Sequence, residues 1–438
     1  MKRILAFTAA LGALACPLVA SAQNIAITNA TLAKGDGSEP VEGASVVVQN
    51  GKVVAAGVGI AIPAGIETVD GTGKWVTPGL YSALTDLGLW DVQAVGDSND
   101  TAAGESPFNA SLDVVPALNP SSQHIAVSRE GGVTRASVTP HPGNSIFSGQ
   151  GALIDLGEDA AIVDKARAFQ FVVLGETGAR LAGGSRVASQ VVLRNALREA
   201  KALAGTPAGA ERASDAMLTH ADAVALGPVV KGEQPLYVMA ERASDIRAVL
   251  ALKSEFPALK LVLVGATEGW LVAPEIAASG VPVITAPMRD LPEQFEVLGS
   301  TQSNIGRMVQ AGVKVAIGMF AGDNQPRWAT EQAGNMVALT RMPGATGLTW
   351  AQAFAAITSI PAEISGMGGK DGGKTEGVLA PGAVGDVVLW DGDPLELSSA
   401  PVSVWIDGVK QPFDSHQARL RERYKNLDRT YMPKAYDW

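Results

Sequence analysis

Short apolar runs separated by turns occupy both ends of the chain and predict β structure there. Two such runs flank the Asn50-Gly51 dipeptide, which is the pattern of a β-hairpin with a tight turn. Near the other end, two further runs flank an Asp391-Gly392 turn. We therefore expect residues 23–78 and 376–412 to build one small composite β-sandwich.

The middle of the chain alternates between apolar runs of strand length and amphipathic stretches of helical length. The helical stretches include 185–203 and 244–256. The strand-like runs are 133–138, 169–174, 236–240, 259–266, 281–286 and 313–319. Apolar strands with helices between them are typical of a parallel sheet covered on both faces. Residues 79–365 therefore predict an α/β fold, and spacing alone fits a (β/α)8 barrel of the TIM type or a doubly wound sheet.

The first 22 residues have the pattern of a secretory signal peptide. Lys2 and Arg3 precede an apolar run at 4–18, and small residues at 20–22 precede Gln23. The apolar run is too short to span a membrane, and no later run is longer. Cleavage before Gln23 would remove Cys16, the one cysteine, and so exclude disulfides. We expect an exported protein in a bacterial periplasm, without a membrane span.

Charge changes this picture only by excluding a class of partner. The formal net charge is −10, and loss of Lys2 and Arg3 would take it to −12. No basic stripe is present, so nucleic acid is not an expected partner. The charged and aromatic residues at 413–438 predict a C-terminal helical tail, either docked on the barrel or reaching a partner subunit.

Four stretches resemble the amidohydrolase superfamily: 76–88, 129–151, 313–320 and 358–408. Residues 76–88 contain Thr-Pro-Gly-Leu and resemble its first barrel strand, 358–364 are similar to its Thr-x-Asn-Pro-Ala-x-x-Leu-Gly signature, and 377–390 are similar to its Gly-x-Leu-x-Pro-Gly tail. The resemblance covers the mature chain and is to the imidazolonepropionase-like branch, near exported dipeptidases. It implies a (β/α)8 barrel that hydrolyses C–N bonds with one or two divalent ions such as zinc.

The positions that the resemblance assigns to metal ligands carry other residues. Leu84 and Asp86 stand where the first strand has its His-x-His pair. Met239 and Gly265 stand where two later strands end in histidine, and Phe320 stands where the family has a proton-shuttling aspartate. Leucine, glycine and phenylalanine offer no side-chain donor to zinc. The resemblance thus implies the fold, whereas these residues argue against the expected chemistry.

Few other residues could replace such a site. The chain has four histidines, none in a His-x-His pattern: His124, His141, His220 and His416. His141 follows a strand end, so it is a candidate for a ligand contact or simply a loop histidine. Glu176 also follows a strand, and with Asp86 it could hold a hard cation. The alternative for Glu176 is a helix start or an ion pair with Arg180 or Arg186.

Three functions remain open from the sequence. The first is a non-catalytic amidohydrolase-fold protein without a cofactor, acting as a homo- or heterodimer with a catalytic homologue. The second is an active hydrolase of dipeptide or other C–N bonds, with an atypical zinc or carboxylate-held metal site or with His141 as a base. The third is a periplasmic binder of a small molecule at the barrel mouth.

Overall fold

The structure is a computed structural model that describes residues 23–92, 95–205, 214–322, 325–369 and 374–425. The predicted signal peptide at 1–22 and residues 426–438 of the predicted tail lie outside this described part.

Strands from both ends of the chain form one mixed β-sheet. They are β1 (Ile25–Leu32), β2 (Val41–Gln49), β3 (Lys52–Val58), β4 (Glu67–Asp70), β5 (Trp75–Pro78), β14 (Val387–Trp390), β15 (Pro401–Ile406) and β16 (Val409–Lys410). Their order is β16-β15-β14-β5-β1-β2-β3, and β4 pairs with β1. Because β14 pairs with both β5 and β15, it joins the two ends. Both ends of the chain contribute strands to one unit, as predicted, but all eight strands are linked into a single sheet, the composite sheet, rather than into the two sheets of a sandwich.

The predicted Asn-Gly hairpin is confirmed at the turn between β2 and β3. Asn50 and Gly51 both have positive φ, at 51° and 73°. Two positive φ values match a type I′ turn, whose twist suits antiparallel strands. One face of the sheet buries a separate apolar cluster, which includes Ile25, Ile27, Val46, Val48, Val387 and Leu389.

Eight further strands close into a barrel. They are β6 (Leu80–Thr85), β7 (Val133–Val138), β8 (Phe147–Asp155), β9 (Val163–Val173), β10 (Leu236–Ala240), β11 (Leu261–Gly265), β12 (Val283–Thr285) and β13 (Val315–Phe320). Each strand pairs with its neighbour in chain order, and β13 pairs with β6 to complete the ring. The predicted TIM-type barrel is confirmed, and the doubly wound alternative is excluded.

One barrel strand departs from the predicted all-parallel sheet. Strand β8 runs antiparallel to both β7 and β9, while the other neighbouring barrel strands are parallel. The connections on either side of β8, at 139–146 and 156–162, contain no helix. A parallel crossover needs a dozen or more residues, so these short connections permit only antiparallel pairing.

Helices surround the barrel. The α-helices of the described residues are α1 (Gln123–Glu130), α2 (Gly175–Leu181), α3 (Arg186–Ala204), α4 (His220–Ala225), α5 (Gly227–Val230), α6 (Ala243–Leu250), α7 (Leu252–Glu255), α8 (Ala273–Ser279), α9 (Asn304–Gln310), α10 (Ala329–Ala338), α11 (Trp350–Ala355), α12 (Ser359–Ile364) and α13 (His416–Tyr424). The predicted helix at 185–203 is α3, capped by Ser185, whose hydroxyl accepts from the Val187 N–H. The helix predicted at 244–256 divides into α6 and α7 at Ala251.

Two apolar layers follow from the alternation of side chains along the barrel strands. Leu236, Val238 and Leu263 belong to the large cluster shared with the helices. Tyr237, Val262 and Val264 belong to a second cluster, inside the barrel. The interior is therefore a packed core, as expected of an eight-stranded barrel.

A buried ionic network ties the barrel to the composite sheet. Arg135 of β7 is 2% exposed, and its guanidinium donates to Asp386, just before β14, at 2.7 and 3.1 Å. It also donates to Asp164 at 2.6 Å and lies 2.8 Å from Asp407. Burial raises the pKa of the neighbouring Glu376 to about 8. The joint between the two units therefore depends on one arginine surrounded by carboxylates.

The described part of the C-terminal tail is anchored at its start. The backbone N–H and hydroxyl of Ser415 each donate to the Glu130 carboxylate at 2.7 Å. Helix α13 follows, and its apolar and aromatic side chains Leu420 and Tyr424 are exposed. Within the described residues, no helix is long and apolar enough to cross a membrane.

Candidate functional site

The carboxyl ends of the parallel strands meet at one mouth of the barrel, where this fold places its chemistry. Leu84 lies at the end of β6, Met239 near the end of β10, Gly265 at the end of β11 and Phe320 at the end of β13. The structure thus places these four sequence-selected positions on the same rim. Asp86 follows β6 directly.

Apolar side chains occupy the barrel interior at this level. Leu84 is 2% exposed and belongs to the interior cluster, against which Met239 and Met319 also pack. The backbone N–H of Leu84 donates to the Ser137 hydroxyl at 2.8 Å. Leu84, at a position that the resemblance assigns to a metal-binding histidine, is therefore part of the apolar core inside the barrel.

Phe320 has a different environment from its neighbour. It is fully buried but belongs to the large cluster shared with the helices, whereas Met319 packs against the interior cluster. Met319 has a φ of 65°, which interrupts the regular alternation of side chains. The side chain that this strand turns to the interior at its end is therefore a thioether.

Left-handed backbone is concentrated at this rim. Leu84 has a φ of 56°, Gly265 of 84° and Ala266 of 48°. For a residue with a side chain this conformation costs about 1–2 kcal/mol. Strain of this kind is a feature of functional sites, where surrounding structure maintains it. The mouth keeps a strained backbone although Leu84 and Met239 are apolar.

The volume beside Gly265 is filled by a buried carboxylate that the sequence reasoning missed. A Cβ at Gly265 would lie 2.5–2.7 Å from the carboxylate atoms of Glu241. Glu241 is 3% exposed, and its Oε2 accepts from the Thr267 N–H at 2.9 Å and from its hydroxyl at 2.6 Å. Arg289 lies 3.6 Å from the other oxygen. The available signal was an acid directly after the apolar run of β10.

Asp86 and His141 come together at the same mouth. Asp86 is 5% exposed, and its Oδ2 accepts from the backbone N–H of Gly322 at 2.9 Å. The ring Nε2 of His141 lies 3.8 Å from that oxygen, and the backbone N–H of His141 donates to the Thr101 carbonyl at 2.7 Å. Asp86 therefore holds the loop after β13 and faces the imidazole, an arrangement that could pass a proton.

Glu176 lies in an ionic cluster centred on Arg186. Its carboxylate is 3.8 Å from the Arg186 guanidinium, and its N–H donates to Glu296 Oε2 at 2.6 Å. Arg186 also donates to Glu296 at 2.9 Å and to Asp245 at 3.0 Å. Burial raises the pKa of Glu296. Glu176 begins α2 and faces Arg186, as the structural alternative for this residue predicts.

The sequence and the fold are both similar to those of known amidohydrolases. The chain is 24% identical over 385 residues to the amidohydrolase tasK of Hapsidospora irregularis, covering 80% of this chain but only 38% of that protein. It is 25% identical over 386 residues to an imidazolonepropionase of Acidiphilium cryptum, and this match covers 81% of this chain and 89% of that protein. The crystal structure of an amidohydrolase from Thermotoga maritima matches with a TM-score of 0.75 and 26% identity, covering 88% of this chain and 99% of that one. The chain belongs to the amidohydrolase superfamily.

No family model matches the chain. Its membership therefore rests on whole-chain similarity and on the barrel. Fold similarity alone does not fix the reaction, which depends on the groups at the mouth.

The residues at the mouth of this amidohydrolase do not fit a zinc ion. Zinc sites use imidazole, thiolate and carboxylate donors. Leu84 and Gly265 offer none of these, and Met239 offers only a thioether. Asp86 accepts from Gly322. In the ranges that the structure describes, His, Cys, Asp and Glu form no group of three or more with the arrangement of a metal site.

Proposed function

We propose that this protein is a non-catalytic member of the amidohydrolase superfamily, acting as a subunit or partner of a catalytic homologue. One observation carries the proposal: the ligand positions on β6 and β10 hold Leu84 and Met239, packed with the barrel core. At the ligand position on β11, the space beside Gly265 contains the Glu241 carboxylate.

The replacement of these groups is physically coherent. A histidine or carboxylate left unpaired in an apolar interior costs several kcal/mol, because it loses its hydration without gaining a partner. Leu84 removes that cost by adding to the core, and Glu241 is held by Thr267 and Arg289 instead of by a metal. Glu241 Oε1 accepts no hydrogen bond from the described residues but lies 3.6 Å from the Arg289 guanidinium, so protein groups partly compensate this charge.

Exposed apolar side chains on the rim support a partner role. In the loop after β12, Leu291, Phe295 and Leu298 are 74%, 82% and 64% exposed. The contact between Arg186 and Glu296 brings the start of α3 beside this loop, where Val187 and Val191 are also exposed. We name these five residues the rim patch. Large exposed apolar side chains of this kind favour an interaction surface.

Export is part of the proposal. The pattern at 1–22 supports a secretory signal, and the chain would then meet its homologue in a periplasm.

The experiment is to tag the full chain in its native host, purify it from the periplasm, and determine both metal content and associated proteins. We expect no stoichiometric zinc, manganese or iron by elemental mass spectrometry, together with a co-purifying amidohydrolase homologue. The variant Phe295→Asp should lose that homologue. Val58→Asp, at an exposed valine of the composite sheet, is the matched control and should keep it. One equivalent of metal, or a monomer without a homologue, would contradict the proposal.

A second candidate function rests on the 3.8 Å approach of His141 to Asp86. A carboxylate beside an imidazole can orient it as a general base for a water molecule. This is the active-hydrolase reading, and only in this reading would zinc or another divalent ion enter. The test is turnover of dipeptides, cyclic amides and lactams, with and without divalent ions. Activity lost in His141→Ala would establish it, and no turnover with any of these substrates would remove it.

A further inference from the structure

A cavity of about 500 Å³ opens at the opposite end of the barrel, where the strands begin. Its wall includes four lysines and two glutamates: Lys165, Lys253, Lys260, Lys314, Glu233 and Glu363. The volume falls within the range of small-molecule sites. This cavity lies apart from the mouth and depends on none of the positions discussed there.

Three of the lysines stand on alternate barrel strands. Lys165 lies in the first part of β9, Lys260 directly precedes β11, and Lys314 directly precedes β13. Neighbouring strands are about 4.8 Å apart, so alternate strands are roughly 10 Å apart. Lys253 reaches the same cavity from α7, and its ammonium donates to the Ser279 carbonyl at 3.0 Å. Their flexible side chains thus surround one space from several directions.

The carboxylates of the wall balance only half of this positive charge, because four lysines and two glutamates leave a net charge of +2. Lys314 forms an ion pair with Glu363, and Lys253 contacts a neutral carbonyl. Among the described residues, neither Lys165 nor Lys260 has a carboxylate partner, and both are exposed. The whole chain carries −10, so four of its 15 lysines lining one cavity is a local reversal of charge. Such a concave positive region raises the local concentration of anions.

We propose that this cavity binds a small polyanion that carries two or more phosphate or carboxylate groups. Linked anionic groups can contact ammonium groups from several strands at once, and so gain more charged contacts than a single group does. Lys165 and Lys260 provide the unpaired charges, and Lys253 and Lys314 border them. The size of the cavity and the acidity of the rest of the chain exclude a long nucleic acid.

The test is calorimetric titration of the mature chain at low ionic strength with tripolyphosphate and with citrate, using orthophosphate for comparison. We expect one equivalent of at least one polyanion to bind more tightly than orthophosphate. The double variant Lys165→Gln/Lys260→Gln should weaken that binding about tenfold or more, since a charged hydrogen bond contributes roughly 1.5–3 kcal/mol.

The matched control is Lys52→Gln/Lys201→Gln, which removes two exposed lysines outside the cavity and the same total charge. Its affinity should stay within about twofold of the natural chain, and thermal unfolding should show that both variants fold. Equal weakening in the two double variants would show general charge attraction and overturn the proposal. Absence of binding by both polyanions would also overturn it.

Discussion

Replacement of Arg135 by methionine tests whether the buried ionic network holds the barrel to the composite sheet. Methionine keeps much of the length of the arginine side chain but removes the donors to Asp386, Asp164 and Asp407. Asp386 is 3% exposed and would lose this buried counter-ion. Breaking a buried ion pair from one side costs about 3–5 kcal/mol. A domain typically has about 5–15 kcal/mol of stability, so the loss would be a large fraction of the total.

The assay is urea unfolding followed by circular dichroism, with the free energy of unfolding extrapolated to water. Arg247→Met is the matched control, because Arg247 makes a similar two-pronged contact with Glu275 but is exposed. We expect that variant to lose far less stability than Arg135→Met, because solvent screens an exposed ion pair. Arg135→Lys should fall between the two, since lysine keeps the charge but loses the fork. If Arg135→Met cost no more than Arg247→Met, the network would not be the joint described here.

Three further predictions concern buried groups. Burial raises the pKa of Glu376 from an ordinary 4.5 to about 8, so its stabilising contribution is full below pH 4.5 and is lost as pH rises through about 8. The free energy of unfolding, measured from pH 6 to 9, should therefore fall by a few kcal/mol, at about 1.4 kcal/mol per pH unit below pH 8. Glu376→Gln should remove most of that pH dependence. Gly265→Ala should destabilise the protein by about 1–2 kcal/mol or more in urea unfolding, because the φ at this position is 84° and the added Cβ would meet Glu241. An unchanged urea midpoint would contradict that contact. Leu84→His should lower the free energy of unfolding by about 1–3 kcal/mol in the same urea assay, because it places a polar ring in the apolar core. It should not create a tight zinc site, because Met239 and Gly265 supply no complementary donors, and nanomolar affinity in a zinc titration would refute this.

The sequence predicted most of the fold because local signals agreed with it. Apolar runs marked six of the eight barrel strands, and the Asn50-Gly51 turn marked a hairpin. Strand β8 was not predicted from the sequence, and its antiparallel direction follows from its short connections to β7 and β9. Its own residues carry no separate signal of direction.

The site was predictable as a set of strand ends but not as a set of contacts. Leu84, Met239 and Gly265 lie on the rim because each ends an apolar run. The contact of Glu241 with Gly265 joins residues from two neighbouring strands and depends on their register, which sequence spacing does not give. The same holds for Arg135 and Asp386, which are 251 positions apart.

The composite sheet also constrains the order in which the chain can fold. Strand β5 cannot find β14 until residue 387 has been synthesised, although β1, β2 and β3 are complete by residue 58. Contacts of such long sequence separation slow folding, and an unpaired strand edge invites association with other chains during the delay. Strands β1, β2, β3 and β5 can therefore form only one half of the sheet until nearly the whole chain is available. A chaperone that covers exposed strand edges would therefore be needed longest at the N-terminal strands of the sheet.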